Sequence, residues 1–201
     1  MTSTTQVRRL ETNDAAEVAS LHYNSFKDFF LTSLGKGFLK VFYQAVLSHK
    51  NGLGVGLYVG SDLAGFAIGT KNSTGFYKSL VYSNGLAMCL AAMPRLILDP
   101  FKIKRLLIPL WAGNNTNYLN SPSLLSICVS PNYESRGFGK QLLKEFEIEL
   151  IDNHCLDVLL STDSHNNDYV NQFYTRNKYK CIQSFFHGKR KMNLYYKKFD
   201  I

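Results

Sequence analysis

Between a short apolar run and an amphipathic stretch, the chain reads Val129-Ser130-Pro131-Asn132-Tyr133-Glu134-Ser135-Arg136-Gly137-Phe138-Gly139-Lys140. A loop that feeds a helix in this way presents main-chain N–H groups that no helical carbonyl satisfies, at the positive end of the helix dipole. Such donors suit the oxygens of a pyrophosphate. Gly137 and Gly139 leave room for a close approach, and Arg136 and Lys140 add full charges nearby. The same residues also fit a plainer arrangement, in which the two glycines let a helix start close to a sheet and Lys140 is solvated. Other chemistries find no pattern: there is no Walker loop, no nucleophile elbow around a serine and no His-Glu-x-x-His. No metal site is expected. Gly52, Gly54 and Gly56 have the wrong spacing for a dinucleotide site and read as turn and strand-edge residues.

The elements around this loop follow from periodicity. Leu124 to Val129 is short and apolar, as suits a strand buried on both faces. From Gly137 to about Asp152, Phe138, Leu142, Phe146 and Leu150 recur every four residues, which predicts a helix. Leu156 to Ser161 predicts a second buried strand, parallel to the first. Asp168 to Arg176 reads as a short helix, and Tyr179 to Phe186 with Lys191 to Tyr196 as a closing hairpin. Upstream, Val7 to Leu10 is a first strand, and Asn13 or Asp14 can cap a helix carrying Val18 and Leu21. Ser33 to Leu47 predicts a second helix, and Leu53 to Val59 with Leu63 to Gly69 an antiparallel hairpin. The fold class is α/β, a mixed central β-sheet with helices on both faces, in one domain over residues 1–201.

One stretch stands apart. From about 76 to 111 apolar residues dominate, followed by Lys102, Lys104 and Arg105, and this predicts a helical insertion. Ser83, Asn84 and Gly85 interrupt the uncharged run, which falls short of the roughly 20 apolar residues that span a bilayer. A helical pair packed on the core or on a partner subunit is the expectation, with a membrane-surface helix as the other reading. At 45% apolar and 19% charged residues the chain reads as soluble and globular. The polar start from Met1 to Leu10 makes the cytoplasm the expected compartment, and Cys89, Cys128, Cys155 and Cys181 are expected as reduced core thiols. A net charge of +8 favours an anionic partner.

Two separate segments resemble the GNAT N-acetyltransferase superfamily. Val129, Pro131, Tyr133, Glu134, Gly137, Gly139 and Lys140 follow its Val-x-Pro-x-Tyr-(Gln/Arg)-x-x-Gly-x-(Gly/Ala)-basic pattern, with Glu134 in place of Gln or Arg. Asn167, Val170, Phe173, Tyr174, Lys178 and Tyr179 resemble its Asn-x-x-Ala-x-x-Phe-Tyr-x-x-x-Gly-Phe, with Val170 for Ala and Lys178 for Gly. The match is specific over about residues 124 to 180.

The resemblance implies an enzyme with acetyl-CoA as co-substrate and a small-molecule amine as acceptor, and implies no nucleic-acid partner. Main-chain groups near Cys128 and Val129 would pair with the pantetheine arm, which enters where the two parallel strands splay. Glu134, Ser135, Arg136, Gly137, Phe138, Gly139 and Lys140 would hold the pyrophosphate, with Asn167 and Phe173 on the other side. An N–H at Val129 would stabilise the oxyanion. Tyr174 would protonate the departing thiolate, since a thiol near 8 to 9 and a phenol near 10 are roughly matched; otherwise it is a packed tyrosine. For the base, His22 is the choice, near the end of the first helix, with Asp28, Glu11 or a water relay as rivals. His22 to Tyr43 is similar to a GNAT subgroup associated with bacterial surface polysaccharides, whose acceptors are amino sugars on nucleotides. The basic, apolar insertion suits a lipid-linked sugar equally. A protein or peptide amine is the alternative acceptor, and a silent acyl-CoA-binding module is the reading from another class.

Overall fold

A computed structural model of the chain describes residues 4–27, 29–99 and 120–200. Its elements run β1 (Thr5–Arg9), α1 (Ala15–Ser25), α2 (Phe30–Ser33), α3 (Lys36–Ser48), β2 (Gly52–Val59), β3 (Asp62–Thr70) and α4 (Phe76–Leu98). Then follow β4 (Ser123–Val129), α5 (Phe138–Asp152), β5 (Asp157–Asp163), α6 (Asp168–Arg176), β6 (Lys180–His187) and β7 (Arg190–Lys198). The strands form one seven-stranded sheet in the order β1-β2-β3-β4-β5-β7-β6. Only the β4–β5 pair is parallel; every other neighbour is antiparallel.

Alternation along the strands divides the apolar residues between two layers. Leu53, Val55 and Leu57 of β2 face α5, where Leu142, Leu143, Phe146 and Leu150 are buried among them. Phe66 and Ile68 of β3 face the opposite layer, built from α1, α3 and α4. The close seat of α5 depends on glycine: a Cβ at Gly69 would lie 2.2 Å from the Ser123 carbonyl oxygen and 2.5 Å from the Phe146 ring. At the sheet's edge, Asp14 takes two hydrogen bonds of 2.8 Å from Arg8 and one of 2.8 Å from the Glu11 N–H. That commitment holds its carboxyl below the usual range, and it clamps β1 to the turn before α1.

Several expectations need correction. The helix predicted from Ser33 begins at Lys36, because Gly35 turns left-handed at φ +95° and separates a short α2 from α3. β4 is not buried on both faces: Leu124 and Cys128 are buried while Leu125, Ser126, Ile127 and Val129 are half-buried. The thiols are free, but Cys89 and Cys181 are exposed, Cys155 is half-buried and only Cys128 lies in the core. The insertion is helical, and α4 runs unbroken through Ser83-Asn84-Gly85 for 23 residues. It is thus long and apolar enough to cross a membrane, and length does not exclude that; its attachment argues otherwise, since Phe76, Leu80, Met88 and Ala92 are buried against the core. A second helix of the expected pair, and Asp28, fall outside the described residues.

Candidate active site

The parallel strands part soon after they meet. β4 and β5 pair only at Ser123 with Leu159 and Leu124 with Leu160. The cause lies one residue further on: β3 pairs Gly69 with Leu124 but Ile68 with Ser126, so Leu125 is a bulge residue without a partner on β3. A bulge bends its strand and increases local twist, and here it swings the rest of β4 away from β5. The Ser130 N–H donates to the Ala64 carbonyl at 2.8 Å. Neighbouring N–H groups of a strand point to opposite edges, so the Val129 N–H faces the gap.

The loop beyond β4 begins with a single 3-10 turn, Pro131–Tyr133, closed by a 2.8 Å bond from the Tyr133 N–H to the Ser130 carbonyl. Ser135 at φ +60° and Gly137 at φ +78° are both left-handed, and such turns gather successive N–H groups into an anion-binding concavity. From Glu134 to Lys140, no backbone N–H donates to an acceptor among the described residues; the first that does is Gln141, to Gly137 at 3.1 Å. The glycines are not explained by packing. A Cβ on Gly137 meets nothing within 4 Å, and one on Gly139 would make ordinary contact with the Phe173 ring at 3.7 Å and Val129 Cγ2 at 3.9 Å. Open space in front of unpaired donors fits a pyrophosphate. Glu134 is exposed, and the Arg136 guanidinium sits 5.3 Å over the Tyr133 ring.

Phe173 joins this loop to α6. Between α5 and α6 lies a cleft of about 260 Å³ lined by Lys140, Tyr169, Phe173, Arg176 and Asn177. Its two cations and two aromatic rings suit a phosphorylated, planar group; Tyr169, Arg176 and Asn177 carried no signal in the sequence beyond their place on a short helix. Asn167 is engaged elsewhere. Its amide donates to Thr162 Oγ1 at 2.8 Å and to the Asp163 carbonyl at 3.1 Å, tying the start of α6 to the end of β5 and leaving only its carbonyl oxygen to accept. Asn171, missed in the sequence, extends this tie: it donates to Asp163 and Asn167 and accepts from Tyr195 at 2.9 Å and Asn193 at 3.1 Å.

Tyr174 is buried between the rings of Phe173, Tyr179 and Tyr195. Its hydroxyl has no hydrogen-bond partner among the described residues, and burial raises its pKa well above the ordinary phenol range. Lys178 adopts φ +68°, the conformation a glycine would take there, so the lysine keeps the turn and carries the strain.

On the other layer, His22 is buried on the inner stripe of α1. Its Nδ1 shares a 2.7 Å hydrogen bond with the Tyr43 hydroxyl, while Nε2 is buried without a partner. Desolvation lowers the His22 pKa to about 4, so the ring is neutral. Tyr43 in turn adjoins Ser126 on β4 and is held protonated by burial. Ser25 Oγ, beside the Cys128 thiol, makes no hydrogen bond of good geometry, and burial lifts that thiol to about 11. The Cys128 side chain therefore belongs to the α1 layer, and only its main chain is available to the gap. Glu11 lies in the turn after β1, at the far edge from β5. Across the gap, Arg190 binds the Asp163 carboxylate and lies 5.2 Å over the Phe29 ring, a contact the sequence did not announce.

Residues 110–179 match the model of the Acetyltransferase (GNAT) family. The fold is that of solved GNAT acetyltransferases. The chain is similar to an acetyltransferase of the GNAT family from Streptococcus pneumoniae, with TM-score 0.57 and 16% identity over 98% of this chain and 100% of that one. It is similar to the ribosomal-protein-S18-alanine N-acetyltransferase of Escherichia coli, at 0.60 and 13% over 97% and 94%. The PaiA N-acetyltransferase of Thermoplasma acidophilum, solved in complex with coenzyme A, aligns at 0.56 and 15% over 98% and 99%. No curated protein matches the chain by sequence. Fold and matched segment together define the class: acetyltransferases of the GNAT type, which use acetyl-CoA as acyl donor.

Proposed function

We propose that the chain transfers an acetyl group from acetyl-CoA to a primary amine, with an amino sugar on a nucleotide or lipid carrier as acceptor. The observation that carries the reading is the unpaired run of N–H groups from Glu134 to Lys140, with Gly137 facing open space. These donors, with Arg136 and Lys140, would hold the diphosphate, and the free edge of β4 at Cys128 and Val129 would pair with the pantetheine amides. The bound co-substrate supplies an acyl group already activated as a thioester. The Val129 N–H is placed to donate to an oxygen that gains charge beside the β4 edge.

Tyr174 and His22 keep their roles in a modified form. With its phenol raised above 10, Tyr174 gives up a proton to a thiolate only at a cost of about 1.4 kcal/mol for each unit of mismatch. It acts instead as a hydrogen-bond donor to the departing sulfur. His22 at about 4 is too weak a base to take a proton from an ammonium ion in bulk water, and Nε2 is better suited to accept a hydrogen bond from an amine already neutral. The net charge of +8 suits a nucleotide diphosphate on the acceptor. A protein or peptide amine is the second reading, favoured by the fold shared with the S18-alanine enzyme.

The test is thiol release from acetyl-CoA by purified protein offered amino-sugar nucleotides, peptides and small amines. Turnover with an amino sugar, slowed by Tyr174→Phe while calorimetric affinity for acetyl-CoA holds, supports the proposal. Binding without release across the panel makes the chain a silent acyl-CoA module. No heat with any coenzyme A derivative removes the reading altogether.

A further inference from the structure

The outer face of α4 is apolar from end to end. Tyr82, Leu86, Leu90, Met93 and Ile97 recur at helical spacing and are 95%, 78%, 56%, 45% and 74% exposed, while the inner face is fixed by Phe76, Leu80, Met88 and Ala92. From Tyr82 to Ile97 the stripe is about 22 Å long at 1.5 Å per residue. Apolar patches of this extent on a protein surface mark a docking site. No acidic residue lies between Phe76 and Leu98; the helix's charges are Lys78 and Arg95, both exposed, one near each end.

These charges decide between occupants. If a second copy met this face across a two-fold axis with the helices antiparallel, Lys78 would lie near the partner's equivalent of Arg95, like charge against like, with no acid on the face to answer them. An anionic lipid surface answers both. Tyr77 and Tyr82 near the start of the helix have the amphipathic rings that settle at headgroup level. Because its inner face is packed on the core, α4 cannot leave the protein to cross the bilayer and must lie along it. We propose that the exposed face of α4 seats the protein on an anionic membrane surface, with the helix in the plane of the interface.

The experiment is co-sedimentation of the full chain with phosphatidylcholine vesicles, with and without phosphatidylglycerol, alongside sedimentation velocity without lipid. The expected result is strong binding to the anionic vesicles, weaker binding to neutral ones and loss of at least tenfold in Leu86→Gln/Ile97→Gln. Both side chains are exposed, so the variant's melting temperature and acetyl-CoA affinity should match those of the parent; a variant that melts early is replaced by the single Leu86→Gln. Wild-type protein that stays in the supernatant overturns the proposal, as does binding the variant retains in full. A dimer without lipid that the same substitution dissociates also overturns it, and assigns the face to self-association. None of these outcomes bears on acetyl transfer, which is read separately.

Discussion

The Arg190 guanidinium lies 5.2 Å over the Phe29 ring while its Nε donates to Asp163 at 2.9 Å, so one side chain joins the turn after α1 to the ends of β5 and β7. These are the two walls of the gap that β4 leaves. Arg190→Ala should cost no more than about 1 kcal/mol of stability, because the pair is partly exposed. Its larger effect should fall on the acceptor, whose KM rises several-fold while that for acetyl-CoA holds. Steady-state kinetics with each substrate varied in turn checks this; equal rises would mean general loosening.

Gly137 and Gly139 should respond differently to alanine. At φ +78° Gly137→Ala carries about 1–2 kcal/mol of backbone strain with no new contact, and its methyl enters the space in front of the donors. Acetyl-CoA affinity should fall roughly tenfold on that free-energy scale. Gly139→Ala makes only ordinary contact with Phe173 and should stay within about threefold by calorimetry, well under 1 kcal/mol.

Lys178 stands left-handed at φ +68° where glycine would be relaxed. Lys178→Gly relieves about 1 kcal/mol of strain, less what glycine's greater freedom costs in the unfolded chain. A net gain of a few tenths of a kcal/mol or more should appear as a higher urea midpoint; a loss would mean that the lysine stem contributes packing that outweighs the strain.

His22 predicts an acid sensitivity. Its pKa is about 4 in the folded protein and 6.5 when unperturbed, so between these values the unfolded chain binds more protons. Stability is therefore full above pH 6.5, falls as pH drops and has lost this contribution by about pH 4, a total on the order of 3 kcal/mol. His22→Gln removes the titration. Its urea midpoint should fall less than the parent's between pH 7.5 and 4.5, and identical falls would disprove the assignment.

Element order was legible because local signals were strong. The four-residue repeat of Leu142, Phe146 and Leu150 announces α5, and the Gly52–Thr70 hairpin is bounded by its turn residues. The phosphate loop could be read for the same reason: its donors are main-chain groups set by local conformation. What escaped depends on contacts distant in sequence. Nothing in the run Leu124 to Val129 shows that Leu125 is surplus, because that is decided by the register with β3. Nor does His22 reveal that Tyr43, twenty-one positions on, will occupy its Nδ1. The left-handed Gly35 inside an apolar run was passed over for a related reason, since helical spacing continues across it.

The extra residue in β4 also changes the sidedness of everything after it. Leu124 packs in the α5 layer, and without Leu125 as a bulge, Cys128 would follow it there; instead Cys128 turns to α1, and Val129 joins α5 and Phe173. Chains sharing this architecture can therefore lengthen or trim their surface loops freely, yet cannot drop a single residue from inside this strand. Such a deletion would rotate the amide of Val129 into the sheet and zip the doorway shut.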